Sequence, residues 1–344
     1  MDVHRARGAA SAVAAAAAAA ILGSLPAAAS ATDCNARQAA GYRVLALDGA
    51  RKIAVWYPAA ASEGDRPYTA GSHGFVGRVA RDAPPADCPG LPLVVFSHGF
   101  GGCGLQSIFF TEELARHGYV VAAPDHRDAA ACVIEERSTR ALWTRPAAPF
   151  HAPDRWSDRS HADRRDDVLA VVRIVGDDKE LGRVVDTRRL GLVGHSLGGY
   201  TALGIAGAWP SWKGLAVKAV LALSPYTAPF LEHGSLGALD VPVMYQGAQF
   251  DWGITPLLEG PKGAYAQTPA PKYFLKLSGG SHFEWTNLVC LGQPDTVSCL
   301  KNRPNAYRID RYGIEFLDRY LKDKSSPFLV RNAGGVETYL FDEK

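Results

Sequence analysis

Gly194-His195-Ser196-Leu197-Gly198 follows directly on the apolar run 190–193. A serine flanked by glycines at such a junction marks a strand that stops abruptly and hands over to a helix. The backbone must bend sharply there, and residues without a Cβ are needed where it would otherwise meet itself. The bend lifts the serine oxygen above the sheet, within reach of a histidine. A chain built this way needs a strand immediately before Ser196 and a helix immediately after it. Glycine and serine also make ordinary turns, so the pattern gains its force only from an acid and a histidine suitably placed further along the chain.

Short apolar strands alternate with helical segments along the rest of the chain. Strands are expected at 43–47, 52–57, 93–97, 119–123, 190–193, 219–223, 243–246 and 273–277. The first two read as an antiparallel hairpin turning at Asp48-Gly49. The later ones are mostly Val, Leu and Ala, as in parallel strands buried on both faces. Val168, Val171, Val172 and Val175 recur at helical spacing, as do Ile309, Tyr312, Phe316, Leu317 and Tyr320. Repetition of strand and helix predicts a mostly parallel eight-stranded sheet with helices on both faces. Residues 32–344 are expected to form one domain, since neither a repeat nor an interdomain linker interrupts it. Two insertions stand out. Residues 61–90, rich in Gly, Pro and Ala, read as a long surface excursion, and residues 134–159 carry Trp143, Phe150 and Trp156 without periodicity. Lying after the fourth strand, the second is placed to rim the site or to pack on the scaffold.

Residues 1–31 read as a secretory signal peptide, with Arg5 and Arg7, an apolar stretch, and Ala29-Ser30-Ala31 as the cleavage pattern. That stretch is short and alanine-rich for a membrane span, so no stable span is expected after cleavage. A secreted or periplasmic protein is therefore expected. Losing Asp2, Arg5 and Arg7 leaves 35 basic and 34 acidic side chains, scattered rather than clustered, which argues against nucleic acid. All six cysteines lie in the mature part and allow 15 pairings. Cys290–Cys299 encloses a short loop and is the first choice, Cys103–Cys132 the second, and Cys34–Cys88 the remainder. The chain contains neither a C-x-x-C motif nor a His/Cys cluster, so no metal and no cofactor are expected.

Serine needs a base to take its proton, and the base needs an acid to hold its tautomer. Asp251 lies just beyond the second strand after the elbow strand, and His282 comes after the third within Ser278-Gly279-Gly280-Ser281-His282. All three fall at carboxyl ends of strands, where catalytic groups of such sheets belong. Ser196, Asp251 and His282 are therefore the expected catalytic residues, with His195 read as structural. Two N–H donors are expected to form an oxyanion hole: Leu197 at the helix start, and Phe100 in the glycine-rich stretch after the third strand. His98 is expected to hold that loop in shape. Trp252, Phe283 and Trp285 flank the expected triad and are candidates for an apolar acyl or aryl pocket.

Three stretches together carry a family resemblance: Pro92-Leu-Val-Val-Phe-Ser-His-Gly-Phe-Gly-Gly, Leu114-Ala-Arg-His-Gly-Tyr-Val-Val-Ala-Ala-Pro-Asp-His-Arg-Asp, and Leu192-Val-Gly-His-Ser-Leu-Gly-Gly-Tyr. They resemble the plasma-type platelet-activating factor acetylhydrolases and the wider group of dienelactone hydrolases and cutinase-like lipases. The resemblance runs from about Leu91 to the last helix. It implies an α/β-hydrolase fold, a metal-free serine esterase mechanism and carboxylic ester substrates, with lipid, polyester and small-molecule esters all left open. In the acetylhydrolases the triad acid follows the strand after the elbow strand, where this chain has Leu223-Ser224-Pro225-Tyr226 and no carboxylate. Asp251 occupies the place used by the cutinase-like lipases instead, while Ser196 departs from the cysteine nucleophile of dienelactone hydrolases. Asp125-His126-Arg127-Asp128 matches a family motif and reads as structural. A peptidase or amidase on the same triad, a phospholipid deacetylase, and a non-catalytic binding module are the competing expectations.

Overall fold

In a computed structural model, described for residues 34, 36–60, 66–70, 74–132, 148–331 and 334–344, the runs of Val, Leu and Ala form a single twisted sheet. Its strands are β1 (Ala39–Ala46), β2 (Lys52–Ala59), β3 (Arg66–Ala70), β4 (Phe75–Arg81), β5 (Leu91–Ser97), β6 (Val120–Pro124), β7 (Val185–His195), β8 (Val217–Leu223), β9 (Val243–Ala248), β10 (Lys272–Leu277) and β11 (Val336–Asp342). The spatial order is β11-β10-β9-β8-β7-β5-β6-β2-β1-β4-β3. The six strands from β10 to β6 are parallel, and β11 and β2 pair antiparallel at either side of that block. The expected signal peptide lies outside the described residues.

The eight expected strands are all present, but the sheet has eleven, not eight. The surface excursion expected at 61–90 contains β3 and β4, which pair with each other. Their order comes from partners distant in sequence. Tyr68 stacks on Tyr42 with ring centroids 4.7 Å apart and accepts a hydrogen bond from Trp56 Nε1 at 2.9 Å. Tertiary packing of this kind overrides a weak local strand preference. β11 is likewise made by its antiparallel pairing to β10. The β1–β2 hairpin turns as expected, with Asp48 Oδ1 accepting the N–H groups of Ala50 and Arg51 at 3.0 and 2.8 Å.

Among the described residues eight α-helices accompany the sheet: α1 (Ile108–Arg116), α2 (Ala162–Asp177), α3 (Leu197–Leu203), α4 (Ala228–Glu232), α5 (Thr255–Leu258), α6 (Ala264–Gln267), α7 (Thr296–Asn302) and α8 (Pro304–Leu321). Alternation along each buried strand feeds two cores. Val94 and Phe96 face one side with α1 and α8, while Leu93 and Val95 face the other with α2 and α3. Burying a large apolar side chain in this way contributes about 1.5–3 kcal/mol, so both faces of the parallel block are strongly held. Three disulfides, Cys34–Cys88, Cys103–Cys132 and Cys290–Cys299, have Cα separations of 5.6, 5.4 and 5.1 Å.

Candidate active site

The loops after β5, β7, β9 and β10 converge at the carboxyl edge of the parallel block, where open sheets of this kind bind their ligands. Ser196 occupies the tight turn from β7 into α3 with φ 54° and ψ −116°. Its N–H donates to the Leu223 carbonyl at 3.0 Å, and its own carbonyl accepts from Gly199, Tyr200 and Tyr226. A Cβ on Gly194 would overlap the Gly198 carbonyl, and one on Gly198 would overlap that of Ser97. These two glycines let the elbow close against the end of β5.

His282 Nε2 lies 2.9 Å from Ser196 Oγ, and its Nδ1 lies 2.9 Å from Asp251 Oδ2. Asp251 is buried and anchored at both ends of its turn, its N–H on the Ala248 carbonyl and its carbonyl on the Thr255 N–H. The three residues expected from the sequence thus meet within proton-transfer reach. Ser224, in the place where the acetylhydrolases hold their acid, donates to Asp251 Oδ2 and stands 3.0 Å from His282 Nδ1. Serine there supplements the carboxylate on the neighbouring strand's loop.

Around the expected oxyanion donors the chain is tightly bonded. Among the described residues neither the Phe100 nor the Leu197 N–H has an acceptor, whereas Gly99 and Gly101 on either side of Phe100, and Ser196 before Leu197, donate theirs. Gly99 N–H donates to Gln106 Oε1 at 2.9 Å and Gly101 N–H to Asp128 Oδ2 at 3.1 Å. Arg164, fully buried, donates to the carbonyls of His98 and Gly99 while pairing with both oxygens of Asp128. Burial alone would push the Asp128 carboxyl up, but the Arg164 guanidinium holds it below the usual carboxylate range. His98 Nε2 accepts the His126 N–H at 3.0 Å, so its Nδ1 carries the proton toward the Gly99 carbonyl at 2.7 Å. Burial, with Arg164 nearby, pushes both His98 and His126 well below the usual imidazole range. His98 and Asp128 are therefore scaffolding for the loop. His195 is buried beside the triad and held neutral, pushed down to about 3 by burial and then by His282.

A cavity of about 1030 Å³ opens over Ser196 and His282. Phe100, Phe150, Tyr226, Phe250, Trp252 and Phe283 line it, and Phe150 meets Phe100 and Tyr226 edge-on. Trp252 and Phe283 lie where the pocket was expected. Trp285 does not: its ring is fully buried and its Nε1 donates to Gln246 Oε1 at 2.9 Å, which turns it into the core. Tyr226 and Phe250 are cavity residues that sequence reasoning missed, and Phe150 lies in the stretch expected either to rim the site or to pack on the scaffold. Phe150 belongs to the aperiodic insertion, whose residues 134–147, with Trp143, lie outside the described set. Its neighbour Trp156 packs against Tyr200 and Tyr226, so the described part both rims the cavity and braces the scaffold. The Cys103–Cys132 disulfide also lines the cavity, directly after the Gly101-Gly102 turn.

The family model described as platelet-activating factor acetylhydrolase, isoform II, matches residues 80–141. A cutinase of Thermobifida alba is 27% identical over 192 residues, which cover 55% of this chain and 52% of that one. The chain thus aligns with about half the length of that relative. A second cutinase, of Thermobifida cellulosilytica, is 25% identical over 252 residues, covering 73% of this chain and 76% of its own. In fold, a ferulic acid esterase from Streptomyces cinnamoneus superposes with a TM-score of 0.61 at 22% identity, over 91% of this chain and 98% of that structure.

Proposed function

The chain has the α/β-hydrolase fold of the serine esterases it resembles, and from that premise we propose that it is an exported serine hydrolase of carboxylic esters. The observation that carries the proposal is the 2.9 Å link from His282 Nε2 to Ser196 Oγ, under an aromatic cavity. As Ser196 Oγ attacks the carbonyl carbon, His282 Nε2 takes its proton. Negative charge on the carbonyl oxygen is met by the Phe100 and Leu197 N–H groups, each such donor being worth roughly 3 kcal/mol in the transition state. His282 then protonates the departing alcohol, leaving an acyl group on Ser196. Water, deprotonated by the same nitrogen, attacks the acyl carbon, and the bond to Ser196 Oγ breaks as His282 returns that proton to Oγ, releasing the acid. Asp251 accepts from His282 Nδ1 throughout, fixing its tautomer and stabilising its cation.

The aromatic lining suits esters with an apolar acyl or aryl group, from lipid, polyester or small molecule. An amidase reading shares the triad, but among the described lining residues there is no Lys, Arg or Glu to hold a peptide terminus. Export rests on the leader-like residues 1–31 and on three disulfides, which suit an oxidising compartment. Ser196→Ala is expected to cut p-nitrophenyl ester turnover by at least about 10⁴-fold and to abolish fluorophosphonate labelling. Activity retained in the purified variant would overturn the assignment.

A further inference from the structure

The oxyanion loop and the His282 loop emerge from β5 and β10, which are four strands apart in the sheet. Ladder pairing alone leaves their separation unset, because each loop departs from its strand before reaching the site. Between them lie two buried side chains that play no chemical role in ester cleavage, Gln106 and His195. We propose that these are positioning residues, a hydrogen-bonded bridge that holds the Gly99–Phe100 turn against the peptide of His282. The proposal rests on the triad reading above.

The polarity of the bridge is set by its two ends. Gly99 N–H can only donate, so the Gln106 atom 2.9 Å away is the amide oxygen. The Gln106 NH₂ therefore faces His195 Nδ1 at 3.1 Å, which must accept. The His195 proton is then on Nε2, aimed at the His282 carbonyl 2.8 Å away, which can only accept. Every member is satisfied in one direction, and reversing either side chain would set donor against donor. A cation at His195 would break the link to Gln106 and place a charge beside His282, whose ring centroid is 4.8 Å away. Burial keeps His195 uncharged, so the bridge sets position while leaving the electrostatics of the base alone. Further bonds stitch the same segments: Asn287 N–H to the Gln106 carbonyl, and Ser107 Oγ to the Trp285 carbonyl.

The test combines kinetics with histidine nitrogen NMR on the full folded chain. Gln106→Met and His195→Phe should each lower kcat by about 10- to 100-fold through misplacement of the donors relative to the base, with KM within about twofold. The double variant should be no worse than the poorer single, since both break one bridge. His195→Gln, whose amide N–H can reach the place of Nε2, should recover about tenfold over His195→Phe. In the unmodified protein, NMR should show His195 neutral with its proton on Nε2 and Nδ1 hydrogen-bonded, and Gln106→Met should shift the Nδ1 resonance as that atom loses its donor while the His282 carbonyl keeps the proton on Nε2. Additive losses, unchanged kcat in folded variants, or a proton on Nδ1 would overturn the bridge. An unmodified protein that neither turns over esters nor labels at Ser196 would sink the esterase reading instead, and the NMR arm would still decide the bridge.

Discussion

Ser196 sits in a backbone conformation that costs a residue with a side chain of order 1–3 kcal/mol, and the surrounding bonds hold it there. The space for this turn is borrowed from its glycines. Gly198→Ala would drive a methyl into the Ser97 carbonyl at the start of the oxyanion loop. Because backbone atoms cannot swing aside as a flexible side chain can, the elbow itself must shift. We expect a stability loss of about 1–3 kcal/mol by thermal melt, and at least a 100-fold fall in kcat/KM, since about 1 Å of displacement suffices for that. A folded variant of undiminished activity would mean that the elbow is slack.

Two buried carboxyls, Glu112 of α1 where it faces β4 and α7, and Asp310 of α8, shape the response to pH. Burial, partly offset by Arg116 and Thr296, pushes Glu112 up to about 7, and burial with Glu113 nearby pushes Asp310 well above the ordinary range. Asp310 has neither oxygen hydrogen-bonded among the described residues. Both acids hold protons in the folded state that the unfolded chain has released, so folding binds protons and stability falls as pH rises. The Glu112 contribution is complete below its ordinary value of 4.5 and gone above about 7, a loss on the order of 3 kcal/mol. Urea titrations at pH 5 and 8 should show that loss, and Glu112→Gln with Asp310→Asn should remove most of it.

The disulfides divide by position as well as by size. Chain entropy gives roughly 4 kcal/mol for the bridge spanning 54 residues, 3.6 for 29 and 2.6 for 9. Cys103 adjoins the oxyanion loop, and Ala130 and Ala131 N–H bond back to Gly102 and Gly101. Replacing Cys103 and Cys132 by Ala should therefore lower kcat as well as the melting temperature. Removing Cys290–Cys299 should lower the melting temperature alone.

These elements also mark how far the amino-acid sequence could be read. Buried parallel strands announce themselves as runs of Val and Leu, and Ser196, Asp251 and His282 stand after strand ends, where counting places them. β3, β4 and β11 have no such signature, because their partners, Tyr42, Trp56 and β10, are distant in the chain. Trp285 misled because closeness to His282 in sequence does not fix the direction of a side chain in a loop. His195 was legible as structural, but its partner Gln106 lies 89 positions away.

At the scale of the whole molecule, the loops that carry Ser196, Asp251 and His282 gather at one end of the parallel block, and Trp252 and Phe283 stand exposed at the cavity mouth. β11 runs back along β10, so that Val336 pairs with Leu277, just before the His282 loop, and Asp342 pairs with Lys272. Six residues of strand, about 20 Å, separate Asp342 from the edge that carries the proposed site. That return path is a ready handle for immobilisation. A bead or film coupled through Lys344 should leave kcat/KM for a soluble ester within about twofold of the free enzyme, whereas coupling through a cysteine set at Trp252 should block access. An enzyme so anchored would present its working face outward by virtue of the direction in which its final strand travels.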